Sequence, residues 1–163
     1  MKSKPLVYLA LHNIRSSENV GAIFRTADAA SISKIFLTGI TPSPVDRFGR
    51  LSSRVAKSAL GAESFVSFEK YPQIGKVIKN LKRQNFQIVA IEQSSDSVDY
   101  KSVKIKDKIK NKVLFIVGNE VNGLPRSVLN KADIVAEIPM SGRKESLNVS
   151  VALGIAIFRI LNI

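Results

Sequence analysis

Short apolar runs alternate with segments of helical periodicity along almost the whole chain. Six runs rich in Val, Ile, Leu and Phe are predicted to be strands, at 6–11, 34–38, 64–68, 86–91, 112–117 and 133–138. The predicted helices lie between them, at 19–30, 46–59, 71–84, 126–132 and 146–160. This alternation predicts an α/β fold with a mainly parallel six-stranded sheet and helices on both faces. Since no repeat or linker divides the chain, we expect one domain over 1–163.

The first predicted helix carries polar residues that its apolar face does not explain. Its apolar positions follow the i, i+3, i+4, i+7 spacing and are Val20, Ile23, Phe24 and Ala27. Asn19, Gly21 and Arg25 stand outside that stripe. From the helix alone, Arg25 is an exposed surface residue and Asn19 an N-cap, so another signal is needed to give them a function.

The predicted helix at 46–59 combines an apolar stripe with a cationic one. The apolar stripe consists of Phe48, Leu51, Val55 and Ala59. The cationic stripe consists of Arg47, Arg50, Arg54 and Lys57. Such a row of charges suits a phosphate backbone, but a solvated helix surface has the same pattern, and both interpretations stay open.

The last predicted helix is apolar almost all round after Ser150. Its length and the presence of Arg159 argue against a membrane span. The pattern therefore indicates burial against the core on one side and a subunit interface on another, which predicts a homodimer.

Charge and composition narrow the class of partner. The 163 residues include 25 Lys and Arg against 13 Asp and Glu, a formal net charge of +12. This excess predicts a polyanionic partner, with nucleic acid ahead of an anionic membrane surface and general basicity as the alternative. The chain has no cysteine and one histidine, His12, so we expect no disulfide and no metal. No secretory cleavage site is recognisable near the start, which predicts a cytoplasmic protein.

Familiar nucleotide motifs are incomplete or missing. The segment GNEVNG has the glycine spacing of a phosphate-binding loop, but Leu124 and Pro125 replace its Lys-Ser/Thr pair. No G-x-G-x-x-G or G-x-S-x-G segment joins a predicted strand to a helix. What remains is three polar segments that each follow a predicted strand, where α/β sheets bind ligands. They are NIRSSENVGAIFRTADAA, FIVGNEVNGLP and IPMSGRKESLNVSVALGIA.

Together these segments resemble the SpoU (TrmH) branch of the SPOUT methyltransferases, over about Leu6 to Ile160. The family's N-x-G-x-x-x-R motif matches Asn19, Gly21 and Arg25, and its G-x-E-x-x-G-L motif matches Gly118, Glu120, Gly123 and Leu124. Its third motif matches Ile138–Met140 and Ser146–Ser150. The resemblance implies transfer of a methyl group from S-adenosylmethionine to a ribose 2′-hydroxyl of tRNA or rRNA, leaving S-adenosylhomocysteine. It also implies a C-terminal trefoil knot and a homodimer through the last helix. Many members of the family carry an extra N-terminal RNA-binding domain, and we expect none in this chain.

The resemblance also assigns expected roles to individual residues. The expected catalytic residues are Arg25, Asn19, Glu120, Ser146 and Asn148. The expected cofactor-binding residues are Ile91, Glu92, Gly118, Asn119, Gly123, Ile138, Met140, Ser146 and Leu147. Charge, together with the motif residue Arg25, gives the expected RNA-binding residues, which are Arg15, Arg25, Arg47, Arg50, Arg54, Lys57, Arg143 and Lys144.

For Arg25 we prefer stabilisation of the developing alkoxide, because a guanidinium stays protonated, while assistance in deprotonation remains the alternative. Glu120 is expected to fix the geometry of the site. Asn148 is expected inside the last helix, where capping cannot explain it, in contact with substrate or Arg25. A non-catalytic RNA-binding protein on the same fold is the second hypothesis, and base methylation is a third that the first motif disfavours.

Overall fold

Within the residues that the structure describes, seven parallel strands form one central sheet. The computed structural model describes residues 5–105 and 112–163. The strands are β1 Leu6–His12, β2 Lys34–Thr38, β3 Phe68–Tyr71, β4 Gln87–Ile91, β5 Val98–Asp99, β6 Lys112–Val117 and β7 Ile134–Glu137. Their order across the sheet is β3-β2-β1-β6-β4-β7-β5, and every neighbouring pair is parallel.

Helices cover both faces of the sheet, as the alternating pattern predicts. The described helices are α1 Ser17–Ala29, α2 Ser53–Ala59, α3 Ile74–Arg83, α4 Arg126–Leu129 and α5 Val149–Leu161. The buried residues of α1, α2 and α5 belong to the core on one face, and those of α3 and α4 to the core on the other. None of these helices, within residues 5–105 and 112–163, is both long and apolar enough to cross a membrane.

The central strands supply alternate side chains to the two cores. In β1, Val7, Leu9 and Leu11 face the core under α1, whereas Tyr8 and Ala10 face the core under α3. This follows from the two-residue period of a strand. Both faces are covered, so such strands appear in the sequence as continuous apolar runs, and each large buried side chain stabilises the fold by roughly 1.5–3 kcal/mol.

Helices α1 and α2 approach each other most closely at Gly21. A Cβ atom there would collide with Ser58 Oγ and with the backbone oxygen of Val55, and would lie 2.9 Å from the backbone nitrogen of Ala59. Ser58 Oγ in turn donates a hydrogen bond to the carbonyl oxygen of Glu18 at 3.0 Å. The glycine of the first motif therefore serves helix packing.

Two of the strand predictions are corrected by the structure. The sheet has seven strands and not six, because the two-residue strand β5 pairs with β7 at the edge and is too short to give an apolar run. The strand expected at 64–68 begins only at Phe68, because a short 3₁₀ turn occupies Ala62–Ser64. Phe65, expected inside that strand, is 79% exposed.

The helix expected at 46–59 is also wrong in its first half, because only Ser53–Ala59 is helical. Residues 44–52 form a turn in which Val45 and Leu51 pair as an antiparallel bridge. Gly49 takes a positive φ of 77° in that turn, a conformation that no helix contains. Phe48 is therefore exposed instead of lying on a buried stripe.

Candidate functional site

A cavity lies at the carboxyl ends of four adjacent strands, β1, β6, β4 and β7. The loops that follow these strands line it, together with the first turns of α1 and α5. This edge is where open parallel sheets bind ligands. The cavity volume is about 840 Å³, which lies in the range of roughly 300–1,000 Å³ that is typical of small-molecule and cofactor sites.

All nine residues predicted to bind the cofactor line this cavity. They are Ile91, Glu92, Gly118, Asn119, Gly123, Ile138, Met140, Ser146 and Leu147. They come from three loops that are far apart in sequence and meet because β4, β6 and β7 lie side by side. The structure thus brings together what the motifs predicted, as one continuous wall.

The loop after β6 is tightly closed around its two glycines. A Cβ atom on Gly118 would lie 2.7 Å from the carbonyl carbon of Gly123. Gly123 has a φ of 64°, and a Cβ atom there would collide with the Glu92 carboxylate. That carboxylate accepts a hydrogen bond from the backbone N–H of Leu124 at 2.9 Å. Both glycines are therefore required for the loop to close over Glu92.

A chain of hydrogen bonds joins the three motifs at the edge of the cavity. The Asn19 side chain donates from Nδ2 to Glu120 Oε1 at 3.0 Å and accepts at Oδ1 from Asn148 Nδ2, also at 3.0 Å. Glu120 further accepts the backbone N–H groups of Arg15 and Ser16, at 2.9 and 3.1 Å. We call Glu120, Asn19 and Asn148 the bridging triad.

Hydrogen bonds keep Glu120 ionised. Partial burial by itself would raise the pKa of Glu120, but the hydrogen bonds from the Asn19 side chain and from the backbone of Arg15, Glu120 itself and Ser16 outweigh it and hold the pKa below its usual value. A carboxylate here also sits beside the N-terminus of α1, where the helix dipole favours negative charge.

Two predicted capping assignments are corrected by the structure. Ser16 caps α1, and its Oγ accepts the backbone N–H of Asn19 at 3.1 Å, so Asn19 is a residue of the first turn. Helix α5 begins at Val149, and Asn148 is its N-cap, accepting the backbone N–H of Ser150 at 2.9 Å. The prediction that capping cannot explain Asn148 is wrong, because α5 starts at Val149, three residues after the predicted start at Ser146.

The loop before α5 makes one contact that the sequence analysis did not predict. Gln93 Nε2 donates to the backbone oxygen of Glu145 at 2.8 Å and so ties the loop after β4 to the loop before α5. Gln93 directly follows Glu92 just after the predicted strand at 86–91. This position is the feature of the sequence that could have indicated a role for Gln93 at the site. Ser146 lines the cavity in this loop and does not begin the helix.

Arg25 lies outside the cavity lining. It is exposed on α1, six positions and about 9 Å of helix beyond Asn19. In the part of the chain that the structure describes, its side chain makes no hydrogen bond or ion pair. The guanidinium is therefore free to meet a molecule that covers the outer surface of α1.

The residues predicted to bind RNA do not form one helical row. Arg15 lines the cavity, Arg47 and Arg50 lie in the turn before α2, and Arg54 and Lys57 lie on α2. Arg143 and Lys144 are exposed in the loop between β7 and α5. All of these side chains are accessible, on the surface around the cavity and on the neighbouring turn.

The cavity is acidic although the protein is strongly basic. Four glutamates line it, Glu92, Glu120, Glu137 and Glu145, against one arginine, Arg15. Within the described ranges, no group of three or more potential metal ligands is close enough to hold an ion. The lining suits an organic ligand that carries positive charge.

Comparisons with known proteins agree with the motifs. Residues 6–158 match the model of the SpoU rRNA Methylase family. The chain is 29% identical over 153 residues to the 23S rRNA (guanosine-2′-O-)-methyltransferase RlmB of Pseudomonas aeruginosa, covering 94% of this chain and 57% of that protein. It is 33% identical over 159 residues to an uncharacterized tRNA/rRNA methyltransferase of Borreliella burgdorferi, covering 98% and 65%.

A solved structure shares the whole fold. The crystal structure of an AdoMet-bound rRNA methyltransferase from Sinorhizobium meliloti superposes with a TM-score of 0.84 at 31% identity, covering 99% of this chain and 57% of that one. The chain thus spans between about half and two thirds of the length of these relatives.

Proposed function

The chain belongs to the SpoU rRNA Methylase family, and from that premise we propose that it transfers a methyl group from S-adenosylmethionine to a ribose 2′-hydroxyl of tRNA or rRNA. The observation that carries the proposal is the bridging triad, because it joins all three motifs at the edge of one cavity. A binding protein without chemistry has no need for an ionised glutamate held by Asn19, which is itself held by Asn148, beside a cofactor-sized cavity.

The cavity fits S-adenosylmethionine in size and in charge. Its volume of about 840 Å³ is sufficient, and its four glutamates complement the positive charges of a sulfonium and an ammonium group. Gly118 and Gly123 let the loop after β6 close into the cavity wall, while Ile91, Ile138 and Leu147 supply apolar contacts. When bound there, S-adenosylmethionine supplies the electrophilic methyl group.

The protein's own contribution is to hold the reacting groups and to stabilise charge. The ribose oxygen loses its proton to water and gains negative charge as it attacks, so a cation beside it lowers the barrier. We assign that task to Arg25, which is always protonated and has no lone pair with which to act as a conventional base. Holding two reactants in attack geometry supplies up to roughly 7–11 kcal/mol in favourable systems.

A second copy of the chain is part of the proposal. Val151 and Ile155 project from α5 with 49% and 38% of their surface exposed, and Leu147 at the cavity rim is 40% exposed. Val151 and Ile155 are one turn apart, so they share a side of the helix and form an apolar strip. These side chains support a homodimer through α5.

We also propose that the C-terminal part of the chain forms the trefoil knot that the family resemblance implies. Strand β7 comes late in the sequence but lies between β4 and β5, and the loop after it returns to the cavity before α5 begins.

We also place the reaction in the cytoplasm, with tRNA and rRNA.

The decisive experiment is a transfer assay with labelled S-adenosylmethionine. Total small RNA and ribosomal RNA are taken from a strain that lacks the protein, incubated with it, digested and analysed by nucleoside mass spectrometry. A 2′-O-methylated nucleoside supports the proposal and identifies the RNA pool. Cofactor binding without transfer to either pool contradicts it and favours an RNA-binding protein instead.

A further inference from the structure

The turn before α2 exposes an aromatic ring beside two arginines. Phe48 is 65% exposed, and the guanidinium carbons of Arg47 and Arg50 lie 4.7 and 5.1 Å from the centre of its ring. We call these three residues the Phe48 cluster. Exposing a phenyl ring gives no hydrophobic stabilisation, so the core does not account for this arrangement.

The turn holds the Phe48 cluster in a fixed position. Asp46 Oδ1 accepts the backbone N–H groups of Phe48 and Arg50, at 2.8 and 3.0 Å, and its Oδ2 accepts Arg50 Nε at 2.7 Å. The bridge between Val45 and Leu51 closes the base of the turn. Asp46 therefore organises both the ring and one of its arginines before any ligand arrives.

A flat apolar ring flanked by planar cations matches one kind of ligand, a base with phosphates on either side. Bases stack on aromatic rings and on guanidinium planes, and arginine pairs with phosphate. We propose that Phe48 stacks on an unpaired base of the RNA substrate while Arg47 and Arg50 bind the adjoining phosphates; this rests on the proposed function, which makes the substrate an RNA. The base is unpaired because stacking in a duplex covers both of its faces.

Cationic residues connect the Phe48 cluster to the cavity. Helix α2 follows the turn directly and carries Arg54 and Lys57. It packs on α1 beside Glu18, whose carbonyl oxygen accepts Ser58 Oγ. Hydrogen bonds from the backbone of Glu18 and from the Ser16 side chain lower the pKa of the Glu18 carboxyl. The charges of Arg54 and Lys57 lower it further. Asn19 lines the cavity at the N-terminal end of α1, so one RNA strand that runs along Arg54 and Lys57 can reach from the ring to the site.

The test compares single-stranded and duplex RNA binding by the wild type and by the variant Phe48→Ala. The probes are a short unstructured oligoribonucleotide and the same strand paired with its complement, each titrated over a series of salt concentrations. Losing one stacked base weakens single-strand binding by roughly 5- to 150-fold. Duplex binding changes little, and the slope of log K against log salt stays the same because no charge is removed.

Three further variants separate stacking from charge and from general exposure. Phe48→Tyr keeps the ring and retains binding. Arg47→Gln removes one phosphate contact and flattens the single-strand salt slope by about 0.7. Phe65→Ala removes another exposed phenyl, 79% accessible, and leaves binding unchanged; no cation lies over the Phe65 ring in the part of the chain described.

The outcomes separate this inference from the proposed function. Suppose that the wild type transfers methyl groups and that Phe48→Ala binds single-stranded RNA as tightly as the wild type. The inference alone is then overturned, and the Phe48 cluster contacts some other macromolecule. An equal loss on duplex RNA also overturns it. If Phe48→Ala selectively weakens the binding of single-stranded RNA but the wild type transfers no methyl group, the inference stands and the proposed methyl transfer is overturned. A wild type that binds no RNA overturns both.

Discussion

Asn19 shows how much one side chain does at the residue scale. Its amide uses both ends, donating to Glu120 and accepting from Asn148, so its orientation is fixed by two partners that follow it in the chain by 101 and 129 positions. A reversed amide would face a carboxylate with its oxygen. Each member of the bridging triad therefore fixes the orientation of the others, and substitutions in it are expected to lower activity more than stability.

Arg25 provides the first prediction. Because its side chain is exposed, Arg25→Ala is expected to change the free energy of unfolding by no more than about 0.5 kcal/mol. Cofactor binding also stays normal, since Arg25 does not line the cavity, while methyl transfer falls at least about 100-fold. Turnover, calorimetric cofactor titration and thermal unfolding are measured together. Arg83→Ala, an exposed arginine on α3 at the opposite face, is the control, and undiminished turnover in Arg25→Ala would remove its assigned role.

Asn148 gives a second prediction that separates capping from the bridging triad. Asn148→Asp keeps an oxygen to accept the backbone N–H of Ser150 but loses the Nδ2 donor to Asn19. The thermal stability should stay near that of the wild type, and turnover should fall about tenfold or more because Asn19 Oδ1 then faces a carboxylate. Asn148→Ala loses the cap too, which costs about a further 1 kcal/mol of stability. Equal turnover in all three proteins would show that the contact is only structural.

Glu120 gives a prediction about acid stability. Its pKa in the folded protein lies below the usual value, so the ionised form stabilises the fold, fully so above the ordinary glutamate pKa of about 4.3. This contribution is lost as pH falls through the lower folded-state pKa. Glu120→Gln should therefore be less stable than the wild type at neutral pH, with the difference shrinking at about pH 3 in urea unfolding experiments. Glu145→Gln is the control from the same cavity, and a gap that does not vary with pH would contradict the argument.

At the element scale, the packing of α1 on α2 depends on a missing side chain. Gly21→Ala places a Cβ atom against Ser58 and the backbone of α2, so the helices must separate. We expect a loss of about 1–3 kcal/mol in the free energy of unfolding, despite the better helix propensity of alanine. Gly142→Ala is the control, because its Cβ meets nothing within 4 Å. Equal unfolding midpoints for the two variants would mean that α2 adapts without cost.

The sequence predicted the buried elements well and the exposed ones poorly. Strands β1, β2 and β6 fall within a residue of their expected bounds, because burial on both faces leaves an uninterrupted apolar run. The turn at 44–52 was mistaken for a helix, since periodicity describes where side chains would point if the backbone were helical. Only Gly49 with its positive φ and the Asp46 side chain decide that it is not.

The candidate site could be predicted where motif residues line the cavity and not where its geometry depends on helix ends. Gly118, Gly123 and Ile138 were expected at the cavity and lie there. The start of α5 was placed three residues early, at Ser146, because serine is a common N-cap, although Ser146 and Leu147 belong to the preceding loop. The capping role of Asn148 could not be seen until that boundary was known.

At the scale of the whole molecule, acidic side chains are concentrated at one cavity of a basic protein, which the composition alone does not show. The whole chain carries a net charge of +12, yet four of its 13 acidic residues line one cavity. These glutamates are spread over more than fifty positions and meet only because the carboxyl ends of their strands do. The surface thus favours a polyanion and the cavity a cation, the combination that RNA and S-adenosylmethionine require together.

Assembly gives the last prediction. Val151→Asp places a charge on the exposed apolar strip of α5 and should weaken the proposed homodimer at least about 100-fold, since an unpaired charge at an interface costs several kcal/mol. Sedimentation equilibrium over a range of protein concentrations measures the shift. Ile40→Asp, at a side chain that is 66% exposed in the loop after β2, should leave the mass unchanged. If Val151→Asp sediments as the wild type does, the interface lies elsewhere.

The strand order also governs how quickly the protein can reach its active form. The centre of the sheet pairs β1 with β6, so Leu6 must find Lys112 across more than a hundred intervening positions. Helix α1 forms from neighbouring residues, whereas parallel pairing at such separation is slow because a long loop must close first. The bridging triad spans even more of the chain. During refolding we therefore expect helix to return early, and the ability to bind ligand to return only with the last long-range strand pairing.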